Sequence, residues 1–338
     1  MIIRILVTAI LFAMSTVAAS AEVKVSTKGG LKVESEDYSF KVGGRIHYDY
    51  NRSELNGITD EDDFDLRRGW LTVSGAIGDD WEFKTQFEVD GGGAQDLFIR
   101  YKGWGKAANL TVGKYKIPFG MEFLSSSNDI TVLERSGITE GYALGRQEGV
   151  SLHGSFGSNQ TYAVALFTDN EKDSEKGVAA RTTWAPFKTD TASVHLGIAF
   201  KDIAEDNAVG FEVGGTSGPF HVQAEYFDGE SNNTDLSGYY LQAGYIFTGE
   251  TRPYKGGVYK RPKPSGKGGA WEGVVRYEDG DGNHGDIELG RTDAKAVTLG
   301  VNWYATNNVR LGVSYQDGED NLTTDDGSEF RVRLQLTY

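Results

Sequence analysis

The closing stretch FRVRLQLTY, residues 330–338, sets Phe330, Val332, Leu334, Leu336 and Tyr338 on one face of an extended chain and Arg331, Arg333, Gln335 and Thr337 on the other. Successive side chains of a strand point to opposite faces, so a period of two marks a β-strand with one apolar and one polar side. The same period runs back through the chain. FKVGGRIHYDY (40–50) sets Phe40, Val42, Ile46, Tyr48 and Tyr50 against Lys41, Arg45, His47 and Asp49, and SVHLGIAFK (193–201) sets Val194, Leu196, Ile198 and Phe200 against Ser193, His195, Ala199 and Lys201. Sixteen such segments can be counted between residues 38 and 338, an even number as an up-and-down barrel requires.

The connections between them alternate in length. GDD (78–80), GSN (157–159), SGP (217–219) and TNN (306–308) are short, whereas the intervening ones, such as 51–64 with Asp60, Glu61, Asp62 and Asp63, are longer and acidic. Short turns at one end and long loops at the other are an outer-membrane pattern, broken here only by the long 249–269 connection on the short side. A soluble sandwich also alternates, but it seldom needs sixteen strands. A barrel this wide has a wet bore, so its apolar face must meet lipid. Tyr48, Trp81, Tyr101, Trp184, Tyr226, Tyr277, Trp303 and Tyr338 fall on that face near segment ends, where interfacial aromatic girdles lie. The expected fold is therefore all-β, a transmembrane sixteen-stranded antiparallel barrel over residues 38–338.

Composition narrows the function. The 338 residues hold no Cys, which excludes a disulfide framework, a thiol nucleophile and thiolate metal sites. A balance of 34 Lys+Arg against 49 Asp+Glu, net −15, argues against nucleic acid as the main partner. Residues 1–21 place Arg4 before an apolar run and end in Ala19-Ser20-Ala21, the layout of a cleaved secretory signal, and the run is too short for a spanning helix. Residues 22–37 then read as an N-terminal segment ahead of the barrel, on the periplasmic side. The five His lack metal-ligand spacing, and no nucleophile–base constellation or phosphate-cradling loop can be argued, so the expectation is no enzyme, no cofactor and no metal. DGDGNHGD (279–286) resembles a calcium loop, but His284 stands where the glycine belongs and Gly290 where the last carboxylate belongs.

KVGGRIHYDY (41–50), LRRGWLTVSG (66–75), NLTVGKYKIPFGMEFLSSS (109–127) with LERS (133–136), GAWEGVVRYEDGD (269–281) and TLGVNWYATNNVRL (298–311) resemble the phosphate-selective porins of the O/P type, over most of the chain and in order. The resemblance implies a trimeric channel of the Gram-negative outer membrane with periplasmic termini and a third outer loop folded into the bore. It implies contact with outer-membrane lipid and lipopolysaccharide, and with the assembly machinery through the terminal aromatic Tyr338. Two departures stand out. Phe123 occupies the place where the family's phosphate-specific members would have a loop lysine, and the fifth outer connection, 203–208, is too short for the family's outer ladder of arginines.

The 116–145 connection is the longest without alternation, and about 30 structureless residues in a compact fold usually carry function. As the inward loop it offers Ser125, Ser126, Ser127 and Arg135 to a solute, since hydroxyls and guanidinium can replace an anion's hydration shell. Alternatively the serines cap a short helix through DITVLER (129–135). Strand phase turns Arg45, Arg68, Arg181, Arg276, Arg310, Arg331 and Arg333 towards the bore, several of them across the closing seam as a basic wall. Lys255, Lys260, Arg261 and Lys263 of the 249–269 connection would form a basic periplasmic mouth. Passive diffusion of small anions, phosphate among them, is the expected function. A general or weakly cation-selective porin, a non-conducting surface barrel and an outer-membrane hydrolase are the alternatives.

Overall fold

The computed structural model describes residues 23–27, 30–169, 175–204, 206–231, 234–282 and 292–338. The secretory-signal layout of 1–21 and the calcium-loop resemblance beyond residue 282 fall outside these. A small hairpin comes first, β1 (Lys24–Ser26) with β2 (Leu31–Glu34). The first seven barrel strands are β3 (Tyr38–Leu55), β4 (Ile58–Ile77), β5 (Trp81–Glu88), β6 (Ala94–Tyr101), β7 (Asn109–Lys116), β8 (Arg146–Phe156) and β9 (Gln160–Thr168). Next come β10 (Lys176–Lys188), β11 (Ala192–Ile203), β12 (Asp206–Ser217), β13 (Phe220–Ser231) and β14 (Thr234–Ile246). After the short pair β15 (Tyr254–Lys255) and β16 (Val258–Tyr259), the wall ends with β17 (Ala270–Gly282), β18 (Thr292–Tyr304), β19 (Val309–Asp320) and β20 (Asp326–Thr337). Two short helices, α1 (Met121–Leu124) and α2 (Gly137–Tyr142), lie between β7 and β8.

Each of the sixteen wall strands pairs antiparallel with its neighbour, and β20 closes on β3 with Thr337 opposite Arg45 and Gly327 opposite Leu55. Closure leaves no first or last strand with an open edge along its length. The alternation is inside out relative to a soluble protein. On β11 Val194 is 40% exposed and His195 not at all, with Leu196, Ile198 and Phe200 outward like Val194. A twelve-residue strand at about 3.3 Å per residue, tilted by about 45°, rises about 28 Å, close to a hydrocarbon core. Tyr48, Trp81, Trp184, Tyr226 and Tyr338 are exposed on the outer face, as their phase requires.

Three expectations change. The acidic stretch 51–64 is strand rather than loop: β3 and β4 run on to a two-residue turn, Asn56 (φ 52°) and Gly57 (φ 73°), the left-handed pair of a tight hairpin. β4 meets β5 only from Trp70 onward, so its edge over 58–68 has no sheet partner among the described residues. Asp60, Glu61, Asp62, Asp63 and Asp65 lie exposed on that edge, and their charge keeps other strands from adding to it. Second, the segment before the barrel contains β2, which pairs with residues 39–42 of β3 in line with β20. Third, DITVLER is not helical, and α1 and α2 flank it. Replacing Gly57 by Val puts a β-branched residue in the left-handed region, which costs about 1–2 kcal/mol. Limited proteolysis of membrane-inserted G57V is expected to cut at the hairpin tip faster than in wild type, and equal resistance would contradict the turn.

The candidate solute pathway

A loop inside a barrel cannot leave its backbone groups unpaired. Between Asn128 and Arg135, seven of eight consecutive carbonyls accept hydrogen bonds from wall or turn side chains: Gln335 to Asn128, Arg252 to Asp129, Arg310 to Ile130 and Thr131, Arg333 to Leu133, Arg276 to Glu134 and Arg135. Asn302 adds a bond of 2.8 Å to Thr131. On the other flank Lys201 donates to the carbonyl of Tyr142, and the carboxylates of Glu225 and Glu278 receive the backbone N–H groups of Met121, Glu122 and Gly137. This network fixes the third loop across the bore.

Carboxylates neutralise most of these arginines. Arg333 and Arg331 both reach Asp49, and Arg331 also pairs with Glu329. Arg276 pairs with Glu278 and Arg181 forks onto Glu212. Glu134 is the hub, contacted by Arg67, Arg68, Arg331 and Arg333. An extra residue in β4 opposite His47–Asp49 allows the consecutive Arg67 and Arg68 to reach the same carboxylate. Burial would raise the Glu134 carboxyl, but Arg68 and Arg333 outweigh it and hold it well below the usual range. Glu122, buried between Arg276 and the Ser136 N–H, goes the other way, because burial is the larger effect.

The 249–269 connection, expected as a basic mouth, folds inward over part of its length. Arg252 is buried, forked onto Glu272 and bonded to Tyr304 Oη. Val258 and Tyr259 pack on Met121 of α1, the Gly257 carbonyl accepts from Arg181, and His195 bonds Tyr254 Oη at 2.7 Å. Lys260 and Arg261 approach Asp129 at 3.4 and 4.0 Å, whereas Lys255, Lys263 and Lys267 keep exposed positions. The third loop is thus met from the opposite end of the barrel.

What stays open is a cavity of about 960 Å³ along β3–β10, lined by eleven Lys and Arg against two Asp. The cations are Arg45, Arg68, Lys84, Arg100, Lys102, Lys106, Lys116, Arg135, Arg146, Arg181 and Lys260. Ser126 and Ser127 line it too, and Ser127 Oγ accepts from Arg45 at 2.6 Å. Ser125 is buried, with its hydroxyl on the Met121 carbonyl. Arg45 and Lys116 have no ion-pair partner among the described residues, and Lys116 donates to the carbonyls of Phe123 and Ser125. Arg135 reaches the Glu122 and Ser125 carbonyls and the exposed Glu140.

Of the expected anion residues, then, the structure brings Arg45, Arg68, Ser126, Ser127, Arg135 and Arg181 to the cavity. Arg276, Arg310, Arg331 and Arg333 are placed instead behind the loop, because its carbonyls and the acids beside it take their N–H groups. Sequence reading missed Lys116 and Arg146, which sit at strand ends flanking the loop, where alternation gives no phase. Directly opposite each other across β7 and β8, they would have been found by pairing the two strands. A second cavity of about 440 Å³ at the loop end carries Glu54, Asp60, Glu278, Asp281, Glu319, Asp320, Asp325 and Glu329, with Lys295 as its one basic residue among the described residues.

A closed sixteen-stranded barrel with an apolar outer face and a charged interior has the architecture of the barrels of the Gram-negative outer membrane. Its family follows from comparison: the model described as phosphate-selective porin O and P matches residues 40–207 and 201–338, and the chain belongs to that family. It is 29% identical to Porin O of Pseudomonas aeruginosa, with 97% of this chain and 95% of the relative covered. Outer-membrane expressed OmpT of Vibrio cholerae superposes with a TM-score of 0.60 at 12% identity, covering 90% of this chain and 99% of that one; an in-vitro folded form is described as a trimer. The anion-selective porin from Comamonas acidovorans gives 0.60 at 12% identity, covering 89% and 100%.

Proposed function

We propose that this porin passes small hydrophilic anions, oxyanions such as phosphate among them, in preference to cations. The observation that carries the reading is the lining of the open cavity, eleven cationic side chains against two acids. Arg45 and Lys116 matter most there, since a partly buried charge without a counter-ion favours an anion drawn from solution. Arg45, Ser126, Ser127, Arg135 and Arg146 contact the solute in this reading, Lys260 gives it a last cation on the way out, and Arg68 and Arg181 add field while bonded to Glu134 and Glu212. Arg276, Arg310, Arg331 and Arg333 act by holding the loop. Several weak sites rather than one tight site keep flux high. The family description and the anion selectivity of the Comamonas porin agree with this choice. The trimer described for the Vibrio protein supports a homotrimer here, in contact with lipopolysaccharide and with the assembly machinery through Tyr338.

A weakly cation-selective porin is the second reading, favoured by the eight acids of the outer cavity, which repel anions over about 8 Å at physiological salt. The zero-current potential of purified protein in a planar bilayer across a KCl gradient separates the two. A chloride-directed potential is expected, and a potassium-directed one would sink the proposal.

A further inference from the structure

Trp70 lies directly opposite Arg45 across β3 and β4 and is 9% exposed on the cavity lining. The Arg45 guanidinium carbon is 4.5 Å from the centre of its ring and that of Arg146 is 5.3 Å from it. These cations come from strands far apart in sequence. Arg45 is otherwise held by Ser127, and Arg146 by Asp96 at 2.6 Å and Gln95 at 3.3 Å. The indole N–H has no hydrogen-bond partner among the described residues, so what the indole gives this site is its ring.

We propose that Trp70 is the positioning residue for oxyanion affinity in this passage, seating two guanidinium groups on a single aromatic platform so that both present N–H groups to one solute. The physics is direct. A guanidinium is weakly hydrated and stacks on an aromatic surface, which leaves the in-plane N–H groups at its edge free for oxygens. Two like charges brought near one ring repel, and its electron-rich π system compensates both. A tetrahedral oxyanion can bridge two forks, whereas chloride offers no pair of oxygens to match them. The same device recurs nearby, where Lys116 and Arg135 sit 4.7 and 5.3 Å from the ring centre of Phe123.

This inference rests on the anion reading above, and the wild-type zero-current potential, taken on the same membranes, isolates failure of that reading. The test is the phosphate concentration that halves the chloride current through single channels of the full barrel. W70L is expected to raise it about tenfold, and W70F, which keeps a ring but loses the N–H, to restore it to within about twofold of wild type. In an R45Q/R146Q background W70L should add nothing, because the groups it positions are gone. An unchanged half-blocking concentration in W70L would overturn the proposal. So would a loss in W70F as large as in W70L, or a full W70L effect in the double-variant background. Should W70L yield no channels, W70M is read by the same criteria.

Discussion

Arg310→Ala is expected to raise single-channel conductance and current noise several-fold. Its guanidinium is fully buried and bonds the carbonyls of Ile130 and Thr131 and the amide oxygen of Asn302. Bonds from a charged donor contribute about 1.5–3 kcal/mol each, and the Ile130 carbonyl left behind would be buried without a partner, while Thr131 would keep only Asn302. The loop has few ways to recover them, since the neighbouring carbonyls are already taken by Arg252, Arg333 and Arg276. A destabilisation of about 3–5 kcal/mol, concentrated at one segment, exceeds what a loop between two short helices can absorb, so the segment loosens while the barrel wall persists. Conductance then follows the widened bore. The competing view makes Arg310 a solute ligand, and it predicts unchanged conductance with weaker phosphate block. That pattern in single-channel records would refute the tether.

The comparison of sequence with structure divides along the same line. Period-two alternation exposed the wall almost completely, because in a membrane barrel each residue's face is set by strand phase and by lipid on one side. Even the inward direction of Arg310 and Arg333 was readable. Their role was not, since a polar side chain pointing inward meets either water or a folded segment, and phase cannot tell which. The bore here is part protein: the third loop and the 249–269 connection fill the side next to β12–β20, and their carbonyls outnumber any solute as acceptors. Of the basic wall foreseen across the seam, Arg310, Arg331 and Arg333 consequently lie behind the loop, while Arg45 and Arg68 line the cavity. The other cations of the lining come mostly from β5–β10, partly from residues such as Lys116 and Arg146 at the frayed ends of the pattern. The acidic 51–64 stretch misled for a different reason. Charge on an exposed strand edge and charge in a loop look alike in sequence, and Asn56-Gly57 was the one local signal that decided between them.

Arg45→Glu is expected to abolish phosphate block and move the zero-current potential towards potassium. Arg45 stands on the cavity lining, between Ser127 of the third loop and Trp70 of the wall. No carboxylate forms an ion pair with it among the described residues, so a passing anion feels that charge without a direct competitor. At about 5 Å a unit charge contributes between about 0.8 and 3 kcal/mol, from bulk water to an effective dielectric constant of about 20. The substitution swings two units, enough at about 1.4 kcal/mol per factor of ten to invert a modest preference. It also sets a carboxylate against the Trp70 ring, whose face suits a cation. Arg45→Lys separates charge from shape: it should keep the chloride-directed potential but weaken phosphate block, because an ammonium lacks the planar fork. Heat-modifiable migration on a gel verifies that each barrel has folded. Folded R45E channels with the wild-type potential would show that this arginine does not control permeation, and the nine remaining cations of the lining other than Arg146 would then have to carry the selectivity without it.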